Sequence, residues 1–128
     1  NIMAQQNCGW DRPTAQTTME DFITRYGDKL NAVYSHDDNM AIGVIQALKA
    51  AGMLDKVKVF SISGTIEGVD AIKAGEMVST VDQSPTWEGE AAVEYAVKYL
   101  NGEELPKWIK TPIASITIDN AGQFSPAW

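Results

Sequence analysis

Asn31-Ala32-Val33-Tyr34-Ser35-His36-Asp37-Asp38-Asn39-Met40-Ala41-Ile42-Gly43-Val44-Ile45-Gln46-Ala47-Leu48-Lys49-Ala50-Ala51-Gly52 is the stretch that decides the fold. Ala32, Val33 and Tyr34 stand in a row and read as a short buried strand. His36-Asp37-Asp38 breaks that run with three polar groups. Asp38 or Asn39 is placed to cap a helix, accepting bonds from its free N–H groups. Ile42, Ile45 and Leu48 then fall along one side of that helix, and Ala41 and Val44 widen the stripe. Gly52 ends it where a left-handed residue is easiest. A strand, a polar turn and an amphipathic helix make half of a βαβ unit. Ligands bind such units at the carboxyl ends of the strands, which is where Asp37 and Asp38 sit.

Working outward, the same alternation recurs. Ile2-Met3-Ala4 reads as a short strand, followed by Trp10-Asp11-Arg12-Pro13. Pro13 suits the first turn of a helix with Arg12 or Asp11 at its cap. Ala15, Met19, Phe22, Ile23 and Tyr26 mark its buried side, and Gly27 closes it. Lys56 to Ile62 is a further strand that turns at Ser63-Gly64-Thr65 into a helix over Val69, Ala71 and Ile72, ending at Gly75. Val78 to Val81 is the next strand, ending at Asp82-Gln83. Ser84-Pro85 opens the longest helix, with Ser84 as cap. Trp87, Ala91, Tyr95 and Tyr99 recur along it, and Asn101-Gly102 closes it. Glu103 to Thr111 is a loop, Ile113 to Ile118 alternates like a last strand, and the tail to Trp128 shows no clear element. Four rounds of strand and helix predict an α/β fold: a parallel sheet flanked by helices.

Composition narrows the function. The 128 residues suffice for one domain with a real core. A hydrophobic fraction of 45% and a charged fraction of 21% are ordinary for a globular chain. The net charge of −7 argues against a nucleic-acid backbone or an anionic membrane surface as partner. The single Cys8 forms neither an internal disulfide nor a metal cluster, and no cofactor is indicated.

His-Asp-Asp-Asn-Met-Ala-Ile-Gly, residues 36–43, resembles the Asn-Asp-x-Met-Ala-x-Gly signature of the ribose- and galactose-type periplasmic sugar-binding proteins. Gly9-Trp10-Asp11-Arg12, Ile62-Ser63-Gly64-Thr65, Thr80-Val81-Asp82-Gln83 and Pro106-Lys107-Trp108-Ile109 follow in that family's order and spacing. Ser-Ile-Ser-Gly-Thr and Pro-Lys-Trp-Ile are more similar to the galactofuranose-type receptors. The resemblance covers nearly the whole chain and implies one lobe of a two-lobe fold. The chain starts at Asn1 with no charged-then-apolar leader. Together with the resemblance, that implies the carboxyl-terminal part of a receptor roughly twice this length. On this reading 1–83 and 111–128 are the carboxyl-terminal sugar-binding lobe. The crossover helix and loop 84–110 are expected to pack on an amino-terminal lobe. Left alone, that helix would self-associate or dock elsewhere on its own lobe.

The implied site gathers at one sheet edge. A neutral polyol needs carboxylates and amides that satisfy hydroxyls pairwise, and an aromatic face over its C–H side. Trp10 reads as core from the residues alone; the resemblance makes it the stacking residue. Asp37, at the strand end, is expected to face the cleft. Where ribose receptors have Phe-Asp-Gly-Thr, this chain has Ile62-Ser63-Gly64-Thr65, so Asp37 would take over an acceptor role lost at Ser63. Gln83 either bonds backbone or, as the family implies, binds ligand. The expected ligand residues are therefore Trp10, Asp37, Ser63 and Gln83. Arg12, Asp38 and Ile62 are expected just behind them. Asp38 reads equally as a cap or a ligand. Arg12 is odd as structure, because a cation at a helix N-terminus opposes the dipole. His36 reads as a surface or supporting residue.

The resemblance implies a monosaccharide-binding component, periplasmic or otherwise outside the cytoplasm, that delivers a pentose or hexose to an ABC-transporter permease. It implies no catalysis. The alternatives are the effector core of a lactose-repressor-type regulator, which shares the fold, and a receiver-like phosphotransfer domain. The receiver reading lacks its phospho-acceptor Asp and its later Lys: the third strand ends in Ser63, the fourth in Asp82-Gln83, and no Lys follows either.

Overall fold

The structure is a computed structural model that describes residues 1–126 and 128. Helix α1, Arg12–Tyr26, starts where Asp11 accepts a hydrogen bond from the Thr14 N–H at 2.9 Å. It stops at Gly27, whose φ of 49° lets the chain turn sharply. Strand β1, Ala32–Tyr34, leads into α2, Asp38–Ala50. Strand β2, Lys58–Phe60, leads into α3, Ile66–Lys73. Strand β3, Ser79–Asp82, leads into α4, Pro85–Leu100, capped by Ser84. The chain returns as β4, Ala114–Thr117.

Among the described residues these strands form one sheet in the order β1-β2-β3-β4. The first three are parallel, with Val33 opposite Val59. β4 runs antiparallel to β3, from Ser79 opposite Thr117 to Asp82 opposite Ala114. The expected parallel α/β sheet is present, with a reversed last strand that hydrophobic alternation does not distinguish from a parallel one.

The strands step in one direction, so right-handed crossovers put α2 and α3 on the same face of the sheet. α1 joins them by packing on α2. Side-chain burial follows this layout. Val59, Thr80 and Ile116 are buried and Val33 packs against the core, while Ala32, Tyr34 and Lys58 on the alternate positions are exposed. The core sits between sheet and helices, built on Met19, Ile45, Leu48, Val57, Val59, Val69, Ile72 and Ile116. The fit of α1 on α2 is close. A Cβ on Gly43 would lie 2.4 Å from the Arg12 carbonyl oxygen.

The structure corrects two expectations. Ile2-Met3-Ala4 is not a strand: Ile2 is 81% exposed, and the segment pairs with none of the strands among the described residues. The cap of α2 is neither Asp38 nor Asn39 but Asp37, which accepts the Met40 N–H at 2.6 Å. Of the two outcomes expected for α4 on its own, docking back on its own lobe is not seen. None of its residues is buried, and Val93, Val97, Tyr99 and Leu100 are exposed. The tail contains a single 3-10 turn, Ala121–Gln123, with Ala121 buried.

Candidate functional site

Each parallel strand ends at the same edge, and each is followed by a tight turn. After β2 the chain enters Ser63-Gly64. Ser63 has a φ of 143°, a region almost confined to glycine. Its N–H donates to the Val81 carbonyl at 2.9 Å, and its carbonyl accepts from the Gln83 N–H at 3.2 Å. Gly64 lies so close to β3 that a Cβ there would stand 2.9 Å from the Asp82 Cα. The turn is thus pressed against β3 and holds Ser63 and Gln83 side by side.

Asp38 braces this edge from behind. It is fully buried and accepts hydrogen bonds from Thr65 N at 2.8 Å, Thr65 Oγ1 at 3.0 Å and Thr80 Oγ1 at 2.7 Å. Thr80 Oγ1 in turn accepts from Gly64 N at 3.3 Å. Three donors around a buried carboxylate satisfy it without a ligand. Asp38 therefore does not cap α2; it is the clasp that joins the starts of α2 and α3 to β3.

At the first turn, Cys8 to Asp11, Gly9 and Trp10 both have positive φ, 61° and 62°, and the Asp11 N–H donates to the Cys8 carbonyl. That is the pattern of a type I′ turn. It leaves Trp10 65% exposed at the strand-end edge. Asp11 caps α1, and the Thr14 hydroxyl and N–H bonded to its carboxylate hold the carboxyl below its ordinary range. Arg12 does not pair with Asp11. Its Nε donates to Asn39 Oδ1 at 2.9 Å, and its guanidinium pairs with Glu67.

These turns enclose one open cleft of about 480 Å³, within the usual range for small-molecule sites. Trp10, Asp37, Ser63 and Gln83 all line it, and so does Ile62. Arg12 and Asp38 do not. Tyr34, His36, Asn39, Thr65 and Trp128 line it as well. His36 stacks edge-on against Tyr34, with ring centroids 5.0 Å apart. Trp128 reaches the rim because its carbonyl accepts the Ile66 N–H at 2.8 Å, a free donor at the start of α3. Nothing in the local sequence marks Trp128 or Tyr34; only the tertiary return of the tail and the edge position of β1 bring them here. Chemically the cleft offers indole faces, a carboxylate, two amides and hydroxyls, and among the described residues no group of three or more His, Cys, Asp or Glu is placed to hold a metal.

Residues 1–104 match the periplasmic binding protein domain. The chain belongs to that family. It is 36% identical over 82% of its length to the ribose import binding protein of Salmonella typhimurium. It superposes with a TM-score of 0.88 on an ABC transporter periplasmic solute-binding protein from Actinobacillus succinogenes with bound D-allose, at 27% identity over 97% of this chain. A solute-binding protein from Bacillus halodurans with bound myo-inositol gives 0.85 at 32% identity over 96%. The chain spans only 35%, 44% and 42% of these three relatives respectively.

Proposed function

We propose that this periplasmic-binding-protein lobe is the carboxyl-terminal wall of a sugar receptor, and that its cleft takes one face of a neutral cyclic polyol. The observation that carries this is the lining of the cleft. An exposed indole, Trp10, shares it with Asp37, Ser63 and Gln83. A sugar ring has an apolar C–H face for the indole and hydroxyls that each donate and accept, so a carboxylate, a hydroxyl and an amide match it pairwise. Ribose, allose and myo-inositol, named for the relatives above, share that chemistry. The relatives are named as import or solute-binding proteins, which favours the receptor over the regulator core. The expected activity is binding and release rather than turnover, outside the cytoplasm, with an ABC-transporter permease as the partner.

One lobe supplies part of the wall. Residues 84–110, with the exposed face of α4, are proposed to pack on an amino-terminal lobe, and closure of the two lobes around sugar would exclude water. The test is a titration of the two-lobe receptor with D-ribose, D-allose and myo-inositol, read by calorimetry and tryptophan emission. Saturable binding of at least one polyol is expected, and Trp10→Ala should weaken it by about tenfold or more through lost stacking and burial. If Trp10→Ala lowers the melting temperature by many degrees while the folded fraction binds as before, Trp10 is a packing residue and the reading fails.

A further inference from the structure

Asn39 occupies the second position of α2 and bonds in two directions. Its Nδ2 donates to the Trp10 carbonyl at 3.0 Å, and its Oδ1 accepts from Arg12 Nε at 2.9 Å. The carbonyl can only accept and the guanidinium can only donate. A side chain that joins them must offer one donor and one acceptor at this reach, which a carboxylate cannot. Arg12 in turn pairs with Glu67. Arg12, Asn39 and Glu67 stand in the first turns of α1, α2 and α3 respectively. That accounts for a cation where the helix dipole disfavours one: the guanidinium ties three helix starts together.

The residue at the far end of this chain needs holding. Trp10 sits at a φ of 62°, a region unfavourable for a bulky side chain, and most of its surface is exposed. Little packing fixes the indole. The hydrogen bond from Asn39 fixes the backbone that carries it.

We propose that Asn39 is a positioning residue for the ligand site, acting through the Trp10 carbonyl to set the indole at the cleft, with Arg12 and Glu67 holding Asn39 in turn. This rests on Trp10 being the stacking surface. Asn39 itself lines the cleft, so a direct contact with sugar is the competing explanation.

The experiment is a double-mutant cycle in the two-lobe receptor. D-ribose, D-allose and myo-inositol are titrated in parallel by calorimetry and the tightest binder is followed. Asn39→Asp keeps an acceptor for Arg12 but cannot donate to the Trp10 carbonyl. It should keep the melting temperature near that of the parent and weaken binding about three- to tenfold, the factor of one neutral hydrogen bond. The emission difference between it and its Trp10→Phe partner isolates the Trp10 signal, which should shift even without sugar. In a Trp10→Ala background Asn39→Asp should weaken binding no further. Parental affinity in Asn39→Asp, or a loss that persists without Trp10, overturns the proposal. If Asn39→Asp does not fold, Asn39→Ser is read by the same criteria. If Trp10→Ala alone leaves affinity unchanged, the stacking reading itself has failed, and that single variant shows it.

Discussion

Thr80 Oγ1 donates to Asp38 Oδ1 at 2.7 Å, and neither residue is accessible to solvent. This bond ties the middle of β3 to the start of α2. Asp38→Ala removes the acceptor for three donors at once and should cost about 3–5 kcal/mol of folding stability. Thr80→Val takes one donor from a buried carboxylate and should cost about 1–3 kcal/mol. Denaturant unfolding with an unchanged slope checks both. Loss of less than about 1 kcal/mol in Asp38→Ala would mean that the clasp contributes little.

Gly43 separates α2 from α1 by the width of a missing methyl. Alanine would gain about 1 kcal/mol in helix propensity. Its Cβ, however, would stand 2.4 Å from a backbone oxygen that cannot rotate away. The clash should win, so Gly43→Ala is expected to lower stability by about 1–3 kcal/mol. It should also displace Arg12, and a shift in tryptophan emission alongside the lower unfolding midpoint would report it. A midpoint equal to the parent's would show that the helices separate at no cost.

Asp37 has two tasks that two substitutions separate. Asparagine caps helices as well as aspartate does, so Asp37→Asn should change stability by no more than about 0.5 kcal/mol. It removes the charge, and binding of the polyol by the two-lobe receptor should weaken by about 1.5–3 kcal/mol if the carboxylate accepts a ligand hydroxyl. Asp37→Ala should lose the cap as well, about 0.5–2 kcal/mol of stability. Calorimetry and thermal melts on both variants distinguish the tasks. Full affinity in Asp37→Asn would leave Asp37 with capping alone.

α4 carries Val93, Val97, Tyr99 and Leu100 with their apolar surfaces in water. On its own, this chain is expected to associate through that face. Val93→Ser with Val97→Ser should lower the sedimentation coefficient at a given concentration. An unaltered distribution would place the contact elsewhere, for instance at the open edge of β1.

Most of the fold was legible because its punctuation is local. Asp11, Ser84-Pro85 and Gly52 announce helix ends by chemistry that neighbours need not supply, and α1, α2 and α4 begin or stop beside them. Strands were less legible. Lys56–Ile62 reads as one strand, but the regular strand is Lys58–Phe60, paired with β1; beyond it only a broken pairing with β3 continues, the Ser61 N–H on the Ser79 carbonyl and Ser63 bridged to Asp82. Ile2-Met3-Ala4 pairs with no strand among the described residues. Among the candidate site residues, Trp10, Asp37, Ser63 and Gln83 were marked by strand ends and resemblance, and one cleft gathers them. Two adjacent acids could not be told apart: Asp37 and Asp38 differ by a rotation of 100° about the helix start, and that decides which caps and which is buried. Asn39, Tyr34 and Trp128 enter the cleft through contacts that no short window contains.

The pairing of β3 with β4 has a mechanical consequence. The chain leaves the sheet after Asp82 and re-enters at Ala114, and these two residues face each other as the last rung of the ladder. Everything between them, α4 included, hangs from that rung like a handle. Gln83 is the first residue of the handle; it lines the cleft, its N–H is pinned to the Ser63 carbonyl, and its Nε2 donates to Glu88 Oε1 on α4 at 3.1 Å. A force applied to α4 is therefore delivered within two residues of the cleft wall.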